Sequence, residues 1–178
     1  MTLFFTADEH HDHEALIGYV QRPFKNKKEM MKEIIGRYND TVTENDTVWH
    51  IGDVSMLGSS RVHFFETLAK KYRKVKSRHL VLGNHDDLRP FTYVNIGLFT
   101  TVHTAFWMNV GGHELFLAHD PALYQPAMQH TIMLCGHIHR LYRTIPIEKL
   151  VNVGVDVWDF APVSLERVIE LLRSEGKL

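Results

Sequence analysis

Leu3-Phe4-Phe5-Thr6-Ala7-Asp8-Glu9-His10 sets the pattern for the whole chain: a short, strand-like apolar run stops at a cluster of carboxylate and imidazole. The same event recurs four more times. Val48-Trp49-His50-Ile51 leads into Gly52-Asp53, and Leu80-Val81-Leu82 into Gly83-Asn84-His85-Asp86. Leu115-Phe116-Leu117-Ala118 leads into His119-Asp120, and Ile132-Met133-Leu134-Cys135 into Gly136-His137-Ile138-His139. Strands ending at one sheet edge hold their loops on a rigid scaffold, so these polar clusters are expected to converge.

The segments between them carry helical spacing. Lys27 to Tyr38 sets Met30, Met31, Ile34 and Ile35 among charged residues, and Ser60 to Tyr72 repeats the pattern through Val62, Phe65, Leu68 and Ala69. Strands are expected over Leu3 to Ala7, Asp46 to Ile51 and His79 to Leu82. Later the chain turns mostly to strand. Thr101 to Met108 and Glu114 to Ala118 flank Gly111-Gly112 as a hairpin, followed by Thr131 to Cys135 and Leu150 to Val155. Val163 to Arg173 reads as an amphipathic helix with Ser164 as its N-cap. No repeat or linker divides the chain, so residues 1–178 are expected to form one domain of the α/β class. Two sheets packed together with helices outside satisfy this order.

Composition narrows the function classes. A length of 178 residues suffices for one sizeable core, and 44% hydrophobic residues exclude a disordered chain. A net charge of −1 provides no overall attraction to nucleic acid or anionic lipid. Cys135 stands alone, so no internal disulfide can form. The start lacks a basic segment before Asp8 and Glu9, and no apolar run reaches the ~18 residues of a membrane span. A cytoplasmic enzyme without a membrane partner is the expectation. The chain also has 13 histidines, an excess whose meaning depends on position, because imidazole is the commonest metal ligand.

Seven strand-end residues qualify as ligands: Asp8, His10, Asp53, Asn84, His119, His137 and His139. In an extended segment residues i and i+2 share a side, so Asp8 and His10 can face one ion, as can His137 and His139. Glu9 and Ile138 would then point away. Glycine before Asp53, Asn84 and His137 permits a sharp turn at each corner. A nitrogen and oxygen set without thiolate favours Mn²⁺, Fe or Zn²⁺ over a structural thiolate zinc site; Mn²⁺ is the expected ion, with Fe, Zn²⁺ or Ni²⁺ as alternatives. Seven donors exceed what one ion with open positions needs, and they suit two ions ~3.5–4 Å apart bridged by a carboxylate. Such a pair lowers the pKa of a shared water and clamps the oxygens of an in-line phosphoryl displacement.

The series Asp8-x-His10, Gly52-Asp53, Gly83-Asn84-His85-Asp86, His119 and Gly136-His137-x-His139 resembles the calcineurin-like metallophosphoesterases. Each block alone is weak; five in family order from residue 8 to 139 are specific. The resemblance implies a four-layered α/β/β/α sandwich, two divalent metal ions and a phosphate-ester substrate, a phosphodiester above a monoester. It implies that Asp8, His10 and His139 hold the first ion. Asn84, His119 and His137 would hold the second, with Asp53 bridging. Asn84 and His85 would also contact the phosphate, and His85 would protonate the leaving oxygen while Asp86 keeps that imidazole charged. The tail Asn152-Val153-Gly154-Val155-Asp156 is similar to a small bacterial or phage branch of the family. Hydrolysis of a monoester or phosphoprotein, or of a nucleotide or nucleic acid, are the alternatives on the same site. A non-catalytic scaffold is disfavoured because no ligand position is vacant.

Some features stand outside this pattern. His11-Asp12-His13 departs from the aromatic-Gly-His of many relatives, although His13 keeps its place as a substrate-contact candidate. His11 and Asp12 would sit beside the metals. The chain has little room for a cap, which predicts an open site. Lys70 to Arg78 holds six basic residues in nine and reads as a solvated helix end, with a phosphate track as the alternative. His50, His79 and His103 read as core or surface fillers. Arg22-Pro23-Phe24-Lys25 neighbours the site without an evident role.

Overall fold

The computed structural model describes residues 1–56, 62–86, 89–145 and 148–178. The elements in chain order are β1 (Leu3–Thr6), α1 (Glu14–Tyr19), α2 (Lys27–Thr41), β2 (Thr47–Ile51), α3 (Val62–Lys71), β3 (Ser77–Val81), α4 (Pro90–Asn95) and β4 (Thr101–His103). They continue with β5 (Phe106–Val110), β6 (His113–Leu117), β7 (Ile132–Cys135), β8 (Leu150–Asn152), β9 (Val163–Ser164) and α5 (Leu165–Ser174). Two mixed sheets result, β4-β3-β2-β1-β9 and β5-β6-β7-β8, flanked by helices.

In the first sheet β1 to β4 run parallel, and β9 joins β1 antiparallel. Phe5, Trp49 and His79 stand side by side in register. The loops that follow Thr6, Ile51 and Val81 therefore leave from one edge. In the second sheet β5 and β6 form the hairpin around Gly111-Gly112, and β6, β7 and β8 are parallel. Leu117 pairs with Leu134, so His119 and Gly136 leave that sheet together.

Alternation along the strands sorts the cores. Phe5, Trp49, Ile51 and Val81 face Leu115, Leu117, Ile132 and Val151 across the inter-sheet layer, which Val168 and Leu172 of α5 extend. On the opposite face of the first sheet, Val48 and Leu80 meet Tyr38 of α2, Phe65 of α3 and Tyr93 of α4. Phe116 and Met133 line the outer face of the second sheet, covered by the segment carrying Tyr124 and Met128 and its two 3₁₀ turns. Burying each large apolar side chain contributes ~1.5–3 kcal/mol, so the strand ends are fixed by these layers and not by the loops themselves.

Several boundaries differ from the sequence reading. Thr101 to Met108 is not one strand: β4 completes the first sheet, and after Thr104-Ala105 β5 opens the second. Val102, Phe106 and Met108 stay in one phase of two, interrupted only at Thr104, so patterning alone hides the change of sheet. The start of the second expected helix at Ser60 lies outside the described residues; α3 begins at Val62. α1 and α4 were not expected, being only six residues each. Asn26 caps α2 by accepting from the backbone N–H of Lys28 and Glu29, and Ser164 caps α5 by accepting from that of Arg167. Among the described residues, no helix is long and apolar enough to cross a membrane.

Candidate metal centre

The loop after β1 is zipped to the loop after β2. Asp8 N donates to Gly52 O at 3.0 Å, His10 N to Asp53 O at 3.0 Å and His11 N to Val54 O at 2.9 Å. Side chains alternate along this segment, but not because it is extended. Asp8, His10, Asp53, His137 and His139 all have positive φ, between 46° and 72°. The extended i, i+2 argument is thereby corrected: each ligand sits in the left-handed region, and while Asp8 and His10 meet in one donor group, His137 and His139 part into two. Aspartate tolerates that region better than most residues, yet each such residue costs roughly 1–2 kcal/mol.

The glycine argument also changes. Gly52 does turn at φ +86, and a Cβ there would stand 2.3 Å from His119 Nδ1. Gly83 and Gly136 serve close approach instead: a Cβ would meet Asp53 Oδ1 at 2.2 Å and Asp8 Oδ2 at 2.9 Å respectively.

Two groups of donors result. One oxygen or ring nitrogen each from Asp8, His10 and His139 lie within 4.8 Å of one another, and so do those of Asp53, His119 and His137. Asn84 Oδ1 belongs with the second group, 3.2 Å from His119 Nε2 and 3.0 Å from His137 Nδ1. Asp53 Oδ2 stands between the groups, 3.2 Å from His119 Nε2 and 3.5 Å from His10 Nε2. The structure thus brings all seven expected ligands to one place. His85 joins them at the rim, its backbone N donating to Asp53 Oδ1 and its Nε2 4.0 Å from Asp53 Oδ2.

The donor set fits metal ions on a further observation: both ring nitrogens of buried His10 lack a hydrogen-bond partner. An imidazole left so costs ~1–3 kcal/mol unless something else uses its nitrogen. Burial drives the His10 pKa down to about 2, leaving it neutral and fit to ligate. His119 Nδ1 donates to Ile51 O at 2.8 Å, which leaves Nε2 toward Asp53 and Asn84.

The carboxylates around His119 favour its protonated form. Burial opposes charge on His119, but the Asp53 hydrogen bond and the Asp8 charge outweigh it and raise the pKa to about 9. For Asp53, burial is outweighed by His119, and the pKa falls to about 2. Burial raises Asp8 to about 6. An entering ion must displace the His119 proton, which is bound below about pH 9. Metal uptake at pH 7.5 is therefore expected to release a proton. Apparent affinity should climb about tenfold per pH unit toward 9 and fall more steeply below 6, where Asp8 also protonates. Calorimetry in buffers of differing ionisation enthalpy reads the release directly; none at pH 7.5 would refute it.

Asp86 departs from its expected role. Its buried carboxylate accepts from the backbone N–H of Asp53 at 2.7 Å, Gly83 at 2.9 Å and Val54 at 3.1 Å, joining the loops after β2 and β3. Those three donors, not the His85 ring, are its hydrogen-bond partners. His11 and Asp12 also turn from the metals. His11 is buried with Nε2 2.7 Å from Tyr72 Oη, and Asp12 pairs with Lys27 at 2.5 Å. His13 remains beside the site, its ring 5.5 Å from that of His10 and 6.4 Å from that of His85. Glu9 points away as expected, its Oε1 2.7 Å from Nδ1 of fully buried His50. His79 stacks on Trp49 in the core.

Arg22, placed beside the site by sequence without a role, and Asp156, quoted only in the tail motif, prove to be partners. Asp156 Oδ2 takes His139 Nδ1 at 3.0 Å, and both Asp156 oxygens are held by Arg22 at 2.8 Å. Arg22 also donates to Asp8 O at 2.6 Å and Glu9 O at 2.9 Å. One guanidinium thus ties the first ligand loop to the carboxylate that orients His139. No local pattern announces it, since an arginine before Pro23 resembles any loop. Carboxylates behind ligating histidines tune affinity, so Asp156→Asn is expected to weaken metal binding ~10–100-fold. Titration with Mn²⁺ measures this, and unchanged affinity would refute the positioning role.

Residues 1–157 match the family model of the calcineurin-like phosphoesterase superfamily domain. The chain belongs to this superfamily. An uncharacterised protein of Methanocaldococcus jannaschii is 26% identical over 181 residues, spanning 99% of this chain and 93% of that one. The gene 66 protein of Mycobacterium phage L5 is 24% identical over 185 residues, spanning 87% and 86%. Among solved structures, a protein of unknown function from Aquifex aeolicus superposes with TM-score 0.74 at 20% identity, covering 96% of this chain and 98% of that one. A novel archaeal phosphodiesterase superposes with TM-score 0.52 at 19% identity, covering 86% and 84%. These structures share the phosphoesterase fold.

Proposed function

We propose that this chain is a two-metal phosphodiesterase. The observation that carries the reading is the position of Asp53: one carboxylate oxygen lies within 3.5 Å of a ligand nitrogen from each donor group. Asp8, His10 and His139 would hold one divalent ion, and Asn84, His119 and His137 the other, with Asp53 shared. When bound, such a pair supplies Lewis-acid stabilisation of the phosphoryl oxygens and an activated water. The chain's own groups do the rest. Asn84 is exposed at the edge, so its amide nitrogen can donate to a phosphate oxygen while Oδ1 stays with the histidines. His85, 36% exposed on the solvent side of Asp53, can deliver a proton to the departing ester oxygen. His13 beside it can contact the substrate. The archaeal phosphodiesterase of the same fold supports the diester preference by analogy.

The nucleic-acid alternative gains nothing from the basic segment. Lys70 and Lys71 end α3 and Arg78 lies in β3, which reaches the ligand loop only after running its length, ~3.3 Å per residue. Arg78 is buried, donating to Tyr38 Oη, Leu98 O and Arg73 O. Purified protein loaded with Mn²⁺, Fe²⁺, Zn²⁺ or Ni²⁺ is expected to hydrolyse bis-p-nitrophenyl phosphate, with Mn²⁺ supporting turnover best. Folded protein inactive with every metal would defeat the reading.

A further inference from the structure

A groove of about 430 Å³ opens beside the metal centre, with His137 and His139 in its wall. Tyr19, Val20 and Gln21 form the facing side, and Ile138, Arg140 and Leu141 complete the lining. Its size falls in the range of small-molecule sites. Two large apolar side chains stand open there, Tyr19 at 79% and Leu141 at 70% exposure. Solvating such surface is unfavourable, and a ligand covering it would recover that cost.

The walls are tied together. Arg140 Nη1 donates to Val20 O at 3.1 Å and Gln21 O at 3.0 Å, so the His137-to-Leu141 loop grips the turn after α1. Gln21 itself is held at φ +54, a strained conformation that this grip sustains. A preorganised groove loses less entropy on binding than one that must form.

We propose that this groove is the subsite for a planar, uncharged ring on the phosphate ester, making ring-bearing esters the preferred substrates. The inference rests on the phosphoesterase reading, because a phosphate bound at the centre that His137 and His139 help form would lie beside this wall and could project a substituent over it. Chemistry then selects the substituent. Among the described residues no carboxylate lines the groove, so a cationic group finds no partner there. Beyond the two imidazoles, the Tyr19 ring and the Arg140 guanidinium both favour a π face over an alkyl chain.

Calorimetry on Mn²⁺-loaded protein with phenyl, cyclohexyl and methyl phosphate tests this. Phenyl phosphate is expected to bind about tenfold tighter than methyl phosphate, with cyclohexyl phosphate between them. Tyr19→Ala and Leu141→Ala should each shrink the preference about threefold, and the double variant should remove it, leaving methyl phosphate affinity unchanged. Equal affinities in the native protein, no binding at all, or a preference that survives the double variant would overturn the subsite. Native protein that shows the preference yet turns over no ester keeps the groove and sinks the phosphodiesterase reading. Turnover of bis-p-nitrophenyl phosphate without the preference does the reverse.

Discussion

Asp53→Asn is expected to leave a folded protein that has lost both metal ions and turnover. The substitution is nearly isosteric and preserves an oxygen for the His85 N–H, which donates to Oδ1 at 2.9 Å. The Asp53 N–H bond to Asp86 is a backbone contact and survives as well. What disappears is the charge at Oδ2, which alone faces both His10 and His119. Two divalent ions at close range would repel, and a shared anion would offset that repulsion. Several kcal/mol of Lewis-acid stabilisation depend on the ions, so turnover should fall by roughly a thousandfold or more. Metal analysis after reloading, with circular dichroism as the folding control, separates the cases. A variant that retains two ions would show that Asp53 does not bridge.

The five strand-end clusters were readable because two requirements act on adjacent residues. Packing on both faces of each sheet demands apolar runs such as Phe4-Phe5 and Leu115-Phe116-Leu117, and metal ligation would demand Asp, Asn and His immediately after them. What stayed hidden lies where one residue serves a distant partner. Arg22 and Asp156 are 134 positions apart, and neither belongs to a periodic segment. Asp86 follows His85 in sequence, which suggests a partnership, but its carboxylate answers backbone donors from another loop. Backbone conformation was equally silent. Spacing gives the same i, i+2 pattern for an extended segment as for one with Asp8 and His10 in the left-handed region. Only the three-dimensional pairing of loops 8–11 and 52–55 reveals which occurs.

The strain in those loops connects stability to function. Five of the seven expected ligands hold positive φ, at a joint cost of several kcal/mol, roughly 1–2 each. The inter-sheet core and the Arg22 clamp offset that cost. The donors are therefore expected to be preorganised, with metal binding adding stability by mass action and not by building the site.

His85→Ala should separate chemistry from metal binding. The ring lies at the rim, with Nε2 4.0 Å from Asp53 Oδ2 and its side chain 36% exposed, while neither donor group contains it. Metal content should therefore stay native. Loss of a general acid typically costs ~10²–10⁴-fold in turnover, which sets the expected size of the defect. The leaving group provides the sharper measurement. A nitrophenolate departs with little need of a proton, whereas an alkoxide departs poorly without one, so the defect should be small on bis-p-nitrophenyl phosphate and large on an alkyl diester. A merely positioning His85 would depress both substrates equally, because holding the phosphate matters alike for each. Equal losses would thus assign the imidazole to binding, and loss of metal with the ring would remove the division between the centre and its rim.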